Sequence, residues 1–223
     1  MNAASPTQHA PSPAAPAAGR RPPAPSPPSP EAPASGDRKR VRGSQKARTG
    51  YLFISGSTYR RIPVFRYAKP RKVFLHSLEA YRSEYGLRIH AFALMPDHYH
   101  LLLWFPPERR PVDFLRDFKS LVGKRIIEWL RVEKLDRLLA RFRLKREPRR
   151  DKDARYCILQ YNSHVKVLDS SRALRQKIGY IHLNPVKEGL AASPEAYTYS
   201  SARNYAGYGL SIVKIERLEL PYD

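Results

Sequence analysis

The stretch MPDHYHLLLW, residues 95–104, sets two imidazoles two positions apart at the start of an apolar run. In an extended strand successive side chains point to opposite faces, so His98 and His100 share one face and Tyr99 takes the other. Two uses are open to such a pair. The rings can be partly buried and satisfied by hydrogen bonds, or they can hold a divalent metal together. Asp97 also has two uses. It can orient the neighbouring histidine, or it can shape the turn begun by Pro96. The Met95-Pro96-Asp97 sequence favours the turn.

A second constellation stands in GYIHLNPVKEGL, residues 179–190. On a 100° wheel, Leu174, Ile178 and Ile181 form one stripe, and Tyr180 lies on its flank beside Lys177, Ala173 and Asn184. A phenol, an ammonium and an amide then share one flank, with a small residue beneath them. The plainer alternative is a rim tyrosine with a wet hydroxyl. It pairs with Asn184 as N-cap and Pro185 as first residue of a new helix over PVKEGLA.

The elements that must position these groups can be read from periodicity. YLFIS (51–55) reads as a strand. Residues 69–86 read as a helix ended by Gly86, with Val73, Leu75, Leu78 and Tyr81 on one side. Residues 87–95 and 98–105 read as strands joined by the tight turn. Residues 110–142 read as helical, with Phe114, Leu115, Phe118, Leu121 and Val122 at helical spacing. YCILQYN (156–162) reads as the fourth strand, and 170–183 as the second long helix. Strand–helix–strand–strand–helix–strand predicts a ferredoxin-like α+β fold: an antiparallel sheet with helices on one face and the other face open.

Among 223 residues, 41 are Lys or Arg and 20 are Asp or Glu, for a formal charge of +21. That excess points to a polyanionic partner, nucleic acid before any other. One cysteine excludes a disulfide framework and a cysteine zinc site. No stretch approaches the roughly 18 apolar residues of a membrane span, and no apolar leader opens the sequence. Residues 1–49 hold eleven of the 21 prolines, bury little, and read as a disordered basic tail. The expected organisation is this tail, a domain over 50–208, and an extension over 209–223.

The segments AFALMPDHYHLLLW, GYIHLNPVKEGL and YTYSSARNY, in that order, resemble the HUH single-strand DNA nucleases of the single-tyrosine, IS200-like transposase type, in the branch of REP-associated tyrosine transposases. The likeness spans about residues 51–208. It implies the HUH nuclease fold, a ferredoxin-like sheet. It implies that His98 and His100 hold Mg²⁺ or Mn²⁺, that Tyr180 is the nucleophile, and that Asn184 completes the metal site. Two features depart from the pattern: the middle HUH position, usually aliphatic, is Tyr99, and the segment 131–155 is longer and more charged.

The implied reaction is cleavage and rejoining of single-stranded DNA through a 5′-phosphotyrosine, at hairpin-flanked or REP-like sequences. A phosphotyrosine stores the energy of the broken phosphodiester, which agrees with the absence of a G-x-x-x-x-G-K-[ST] loop. A phenol needs help to attack at neutral pH, and Lys177 is the local cation. Arg141, Arg143, Lys145, Arg146, Arg149, Arg150 and Lys152 form a cluster suited to tracking phosphates. Tyr199, Ser200, Ser201 and Tyr205 can contact a base or simply pack. The partner expected is single-stranded DNA with hairpins, with no membrane and with a homodimer left open. The location expected is the bacterial cytoplasm, at the nucleoid. The competing reading is a domesticated protein that binds a DNA or RNA hairpin without cutting it.

Overall fold

The computed structural model describes residues 50–144, 155–209 and 211–219. The chain divides into two units, Met1–Gly43 and Ser44–Asp223. The first, and with it most of the proline-rich tail, lies outside the described residues. The fold is that of the second unit.

Four strands, β1 (Gly50–Ser57), β2 (Arg88–Leu94), β3 (His98–Phe105) and β4 (His164–Leu168), make one sheet in the order β2-β3-β1-β4. Every neighbouring pair is antiparallel. The helices are α1 (Ala68–Tyr85), α2 (Pro111–Val132), α3 (Asp136–Arg141), α4 (Ser171–Lys187) and the short α5 (Ala202–Tyr205). This is the ferredoxin-like α+β class. The β2–β3 hairpin closes where the Met95 N–H donates to the His98 carbonyl at 2.8 Å. Gly86 ends α1 in the left-handed region at φ 64°, a conformation that glycine adopts without a side-chain penalty.

Period-two alternation divides the strands between two cores. Leu52 and Ile54 of β1 join Tyr99, Leu101, Leu103 and Phe105 of β3 in a large core with α1 and α2. On α2, Phe114, Phe118, Val122, Ile126 and Leu130 recur every four residues and are all buried, the stripe of a helix lying on a sheet. Phe53, Ala91, Ala93 and Leu102 face the other way and meet Leu174, Ile178 and Ile181 of α4. The second face is therefore not open along its whole length. α4 covers part of it, because Ala91 and Ala93 are small enough to let a helix approach. Tyr99 is fully buried and runs beneath Gly56, where an added Cβ would fall 2.3 Å from its hydroxyl oxygen. The aromatic between the two histidines thus packs under the strand and requires a residue without a side chain above it.

Three local expectations are corrected. The fourth strand is His164–Leu168, not YCILQYN. Cys157, Ile158 and Leu159 are buried consecutively, without alternation, and Leu159 makes only an isolated bridge to Thr58. The helix expected over 110–142 breaks at Glu133–Leu135, where Lys134 has φ 53°. α4 does not stop before Asn184. It runs through Pro185 to Lys187, so Asn184 is no N-cap. Ser170 caps the start of α4 by accepting from the Ala173 N–H at 3.3 Å. Residues 211–219 lie along β2, where the Glu216 N–H donates to the Ile89 carbonyl at 2.9 Å. That covers an edge strand that would otherwise present unpaired groups.

Candidate active site

β3 aims His98 and His100 at the α4 side of the sheet. Both are 5% exposed, and their ring centroids stand 5.1 Å apart. His98 Nδ1 lies 2.7 Å from Asp97 Oδ1. A carboxylate only accepts, so Nδ1 carries the proton of this bond and Nε2 points away from Asp97. The opposite oxygen, Asp97 Oδ2, pairs with Arg61 Nε at 2.9 Å. Burial alone would raise the Asp97 carboxyl, but the His98 hydrogen bond and the Arg61 charge outweigh it and hold it below the usual carboxylate range. Asp97 thus does more than shape the turn: it orients His98.

His100 sits deeper. Burial first, then the charges of His98, Lys177 and Arg61, push its pKa down to about 3. It is neutral at physiological pH and keeps a donor lone pair. Phe53 stacks against it at 5.8 Å and 16°.

α4 brings the remaining groups. The Tyr180 ring lies edge-on to His100 at 5.4 Å and to Phe53 at 5.9 Å. It is 37% exposed, within reach of a ligand from solvent. Lys177 Nζ lies 4.7 Å from the Tyr180 ring centroid and 4.6 Å from that of Phe53; Lys187 Nζ lies 5.9 Å from Tyr180. Asn184 is buried, and its Nδ2 donates to the Tyr180 carbonyl at 3.0 Å. That contact fixes the amide with its oxygen as the uncommitted end. His98, His100, Tyr180 and Lys177 are brought into one neighbourhood, and Asn184 is stapled to the same turn of α4.

The donor chemistry fits a divalent cation. His98 Nε2 faces Glu188 Oε1 at 3.5 Å. Buried His100 Nδ1 has no hydrogen-bond partner among the described residues. Among those residues no three His, Cys, Asp or Glu side chains converge closely enough to hold a metal by themselves.

Sequence reasoning missed Phe53, Glu188 and Arg61. The alternation in YLFIS puts Phe53 on the histidine face, a signal that was present. Glu188 follows the last residue of α4 as its C-cap, about two turns beyond Tyr180, a placement that depends on where the helix ends. Nothing in the spacing marked Arg61. The Ser-Ser segment is structural. Ser201 Oγ accepts from the Phe92 N–H at 2.9 Å and contacts His182 Nε2 at 2.8 Å. Tyr205 donates to the His90 carbonyl at 3.0 Å. Of the basic cluster, Arg141 ends α3 and Arg143 bridges to Tyr156, both on the α2 side of the sheet. Lys145, Arg146, Arg149, Arg150 and Lys152 lie outside the described residues. A cavity of about 570 Å³ is also on that side, between α2 and residues 156–163, away from the histidines.

The sheet in this order, with paired strand histidines facing a helix tyrosine, belongs to an α+β domain of ferredoxin-like topology. Residues 49–136 match the family described as "Transposase IS200 like". The match includes both histidines and ends before α4. A solved structure described as the "REP associates tyrosine transposase bound to a REP hairpin" has a similar fold. It is 16% identical, covers 83% of this chain and 97% of its own, and has a TM-score of 0.51. A putative transposase from Deinococcus radiodurans R1 is 20% identical over 64% of this chain and 95% of its own, with a TM-score of 0.39. No curated protein matches. Among the described residues no helix is long and apolar enough to cross a membrane.

Proposed function

We propose that this transposase-family chain cleaves and rejoins single-stranded DNA through a covalent 5′-phosphotyrosine on Tyr180, at sites flanked by hairpins. The observation that carries the reading is the Tyr180 ring 5.4 Å from His100, on the one sheet face that bears the histidine pair. The hairpin is suggested by the REP hairpin bound in the solved structure of similar fold.

In this reading Tyr180 Oη bonds to the scissile phosphorus and loses its proton, while the bond from phosphorus to the 3′-oxygen breaks. The departing 3′-oxygen takes up one proton and leaves as a hydroxyl. His98, His100 and Asn184 would hold Mg²⁺ or Mn²⁺, whose charge neutralises the non-bridging oxygens and eases charge on the leaving oxygen. Asp97 keeps His98 turned with Nε2 free. Lys177 and Lys187, whose ammonium groups stand over the Tyr180 ring, attract the phosphate to the phenol. Arg141 and Arg143, with Lys145, Arg146, Arg149, Arg150 and Lys152, track flanking phosphates.

The test is to incubate the full chain with end-labelled hairpin DNA carrying single-stranded flanks. With Mn²⁺ a covalent adduct that survives denaturing electrophoresis is expected, and with excess chelator none. Hairpin binding without any adduct would leave the non-cutting binder as the better reading.

A further inference from the structure

The loop between β1 and α1 holds two consecutive non-glycine residues in the left-handed region, Arg60 at φ 53° and Arg61 at φ 55°. Such residues cost of order 1 kcal/mol each and persist only where their surroundings over-determine them. Here the surroundings are the turn before the histidines. Fully buried Thr58 donates its N–H to the Asp97 carbonyl at 2.8 Å, and its hydroxyl lies 2.7 Å from the Ile62 carbonyl and 3.0 Å from that of Asp97. The Phe65 N–H donates to the Pro96 carbonyl at 2.9 Å. The loop is thus stitched to residues 96–97 from both sides. What the strained backbone delivers is the Arg61 guanidinium at Asp97 Oδ2, 2.9 Å away, while Asp97 Oδ1 takes His98 Nδ1 at 2.7 Å.

From this geometry we infer that Arg61 is a positioning residue of the metal site: it clamps Asp97, and Asp97 in turn fixes the His98 ring with Nε2 toward the cation. The inference rests on the metal reading of His98 and His100. An exposed ion pair as such contributes little to stability, and it explains no strained backbone. Partners that orient a metal-bound histidine do explain one, because losing them typically costs 10–100-fold in metal affinity.

Arg61→Gly separates the two roles, because glycine adopts φ 55° freely and relieves the strain. Mn²⁺ binding to the full chain, without DNA, is measured by electron paramagnetic resonance titration beside thermal unfolding. Arg61→Gly is expected to raise the Mn²⁺ dissociation constant about tenfold with an unchanged or higher Tm. Arg61→Lys, which keeps a cation for Asp97, is expected to recover most of that affinity, and His98→Ala to abolish binding. Unchanged affinity in Arg61→Gly, with binding lost in His98→Ala, overturns the clamp and leaves the metal site standing. No Mn²⁺ binding by the unaltered chain overturns both.

Discussion

Residues one position apart on β3 lead to different chemistries. Tyr99, Leu101, Leu103 and Phe105 point into the larger core, where Phe74, Phe114 and Phe118 meet edge to face or stacked at 5.0–5.5 Å. His98, His100 and Leu102 point to the other face, where the apolar patch is small and gives way to imidazoles, a phenol and ammonium groups. The first face supplies most of the buried apolar area, and so most of the stability. That leaves the second free to carry groups that a folding core would reject: buried His100 Nδ1 has no partner among the described residues, a state expected at a binding site rather than in a core. On the first face the Tyr99 hydroxyl is fully buried, and burial raises its pKa to about 12 against an opposing interaction with Ser163. It lies directly behind the histidine strand.

If the division between faces is real, substitutions on one should unfold the protein and those on the other should silence it. Phe118→Ala should lose about 3–5 kcal/mol of stability in urea unfolding, yet keep its metal site at low temperature. His100→Ala should change stability far less and abolish metal-dependent cleavage. Equal stability losses would erase the distinction.

The α4 face also carries a pH liability. Burial lowers the His182 pKa to about 4, below the unfolded value near 6.5. Because the folded pKa is depressed, the unfolded chain binds more protons between these values. The stability from neutral His182 is complete above about pH 6.5 and is lost as pH falls toward 4. Lowering the pH from about 6.5 to about 5 should cost about 1.6 kcal/mol through His182, with buried His100 adding a loss of the same sign, in unfolding experiments with chelator present, and His182→Gln should reduce that slope by the His182 share. Gly56→Ala should cost about 1–3 kcal/mol by overpacking, and Tyr99→Leu in the same chain should restore part of it. Additive losses would contradict the close packing of these two residues. The smallest effect concerns the tail. A chain starting at Gly50 should still cut DNA but show a shallower dependence of log affinity on log salt; an unchanged slope would make the tail a spacer.

Much of this arrangement was legible in residue order. The turn and β3 were readable to the residue, because H-Y-H-L-L-L-W-F comes straight after a Pro-Asp turn and must alternate. The stripe Leu174, Ile178, Ile181 placed Tyr180 on its flank correctly, because helical period needs no tertiary information. β4 was not legible: HVKVL is short and mostly exposed, whereas YCIL is apolar enough to look like a strand but is buried as an irregular segment under α2. The passage of α4 through Pro185 was hidden because Asn-Pro is also a good helix start. Arg61 was hidden because its role comes from a loop folding back on a turn 36 positions later in the chain, and local pattern does not encode such a contact.

The proposed chemistry depends most on Tyr180 being the nucleophile, and one measurement addresses that directly. The covalent adduct formed with labelled hairpin DNA and Mn²⁺ is digested, and the peptide carrying the nucleotide is sequenced, beside the same reaction with Tyr180→Phe. That substitution removes one oxygen and keeps the ring against His100 and Phe53, so the protein should stay folded and bind the hairpin. The expected result is DNA on Tyr180 alone, a free 3′-hydroxyl on the other fragment, and no adduct in Tyr180→Phe. DNA on any other tyrosine, or an adduct that persists in Tyr180→Phe, would contradict the assignment.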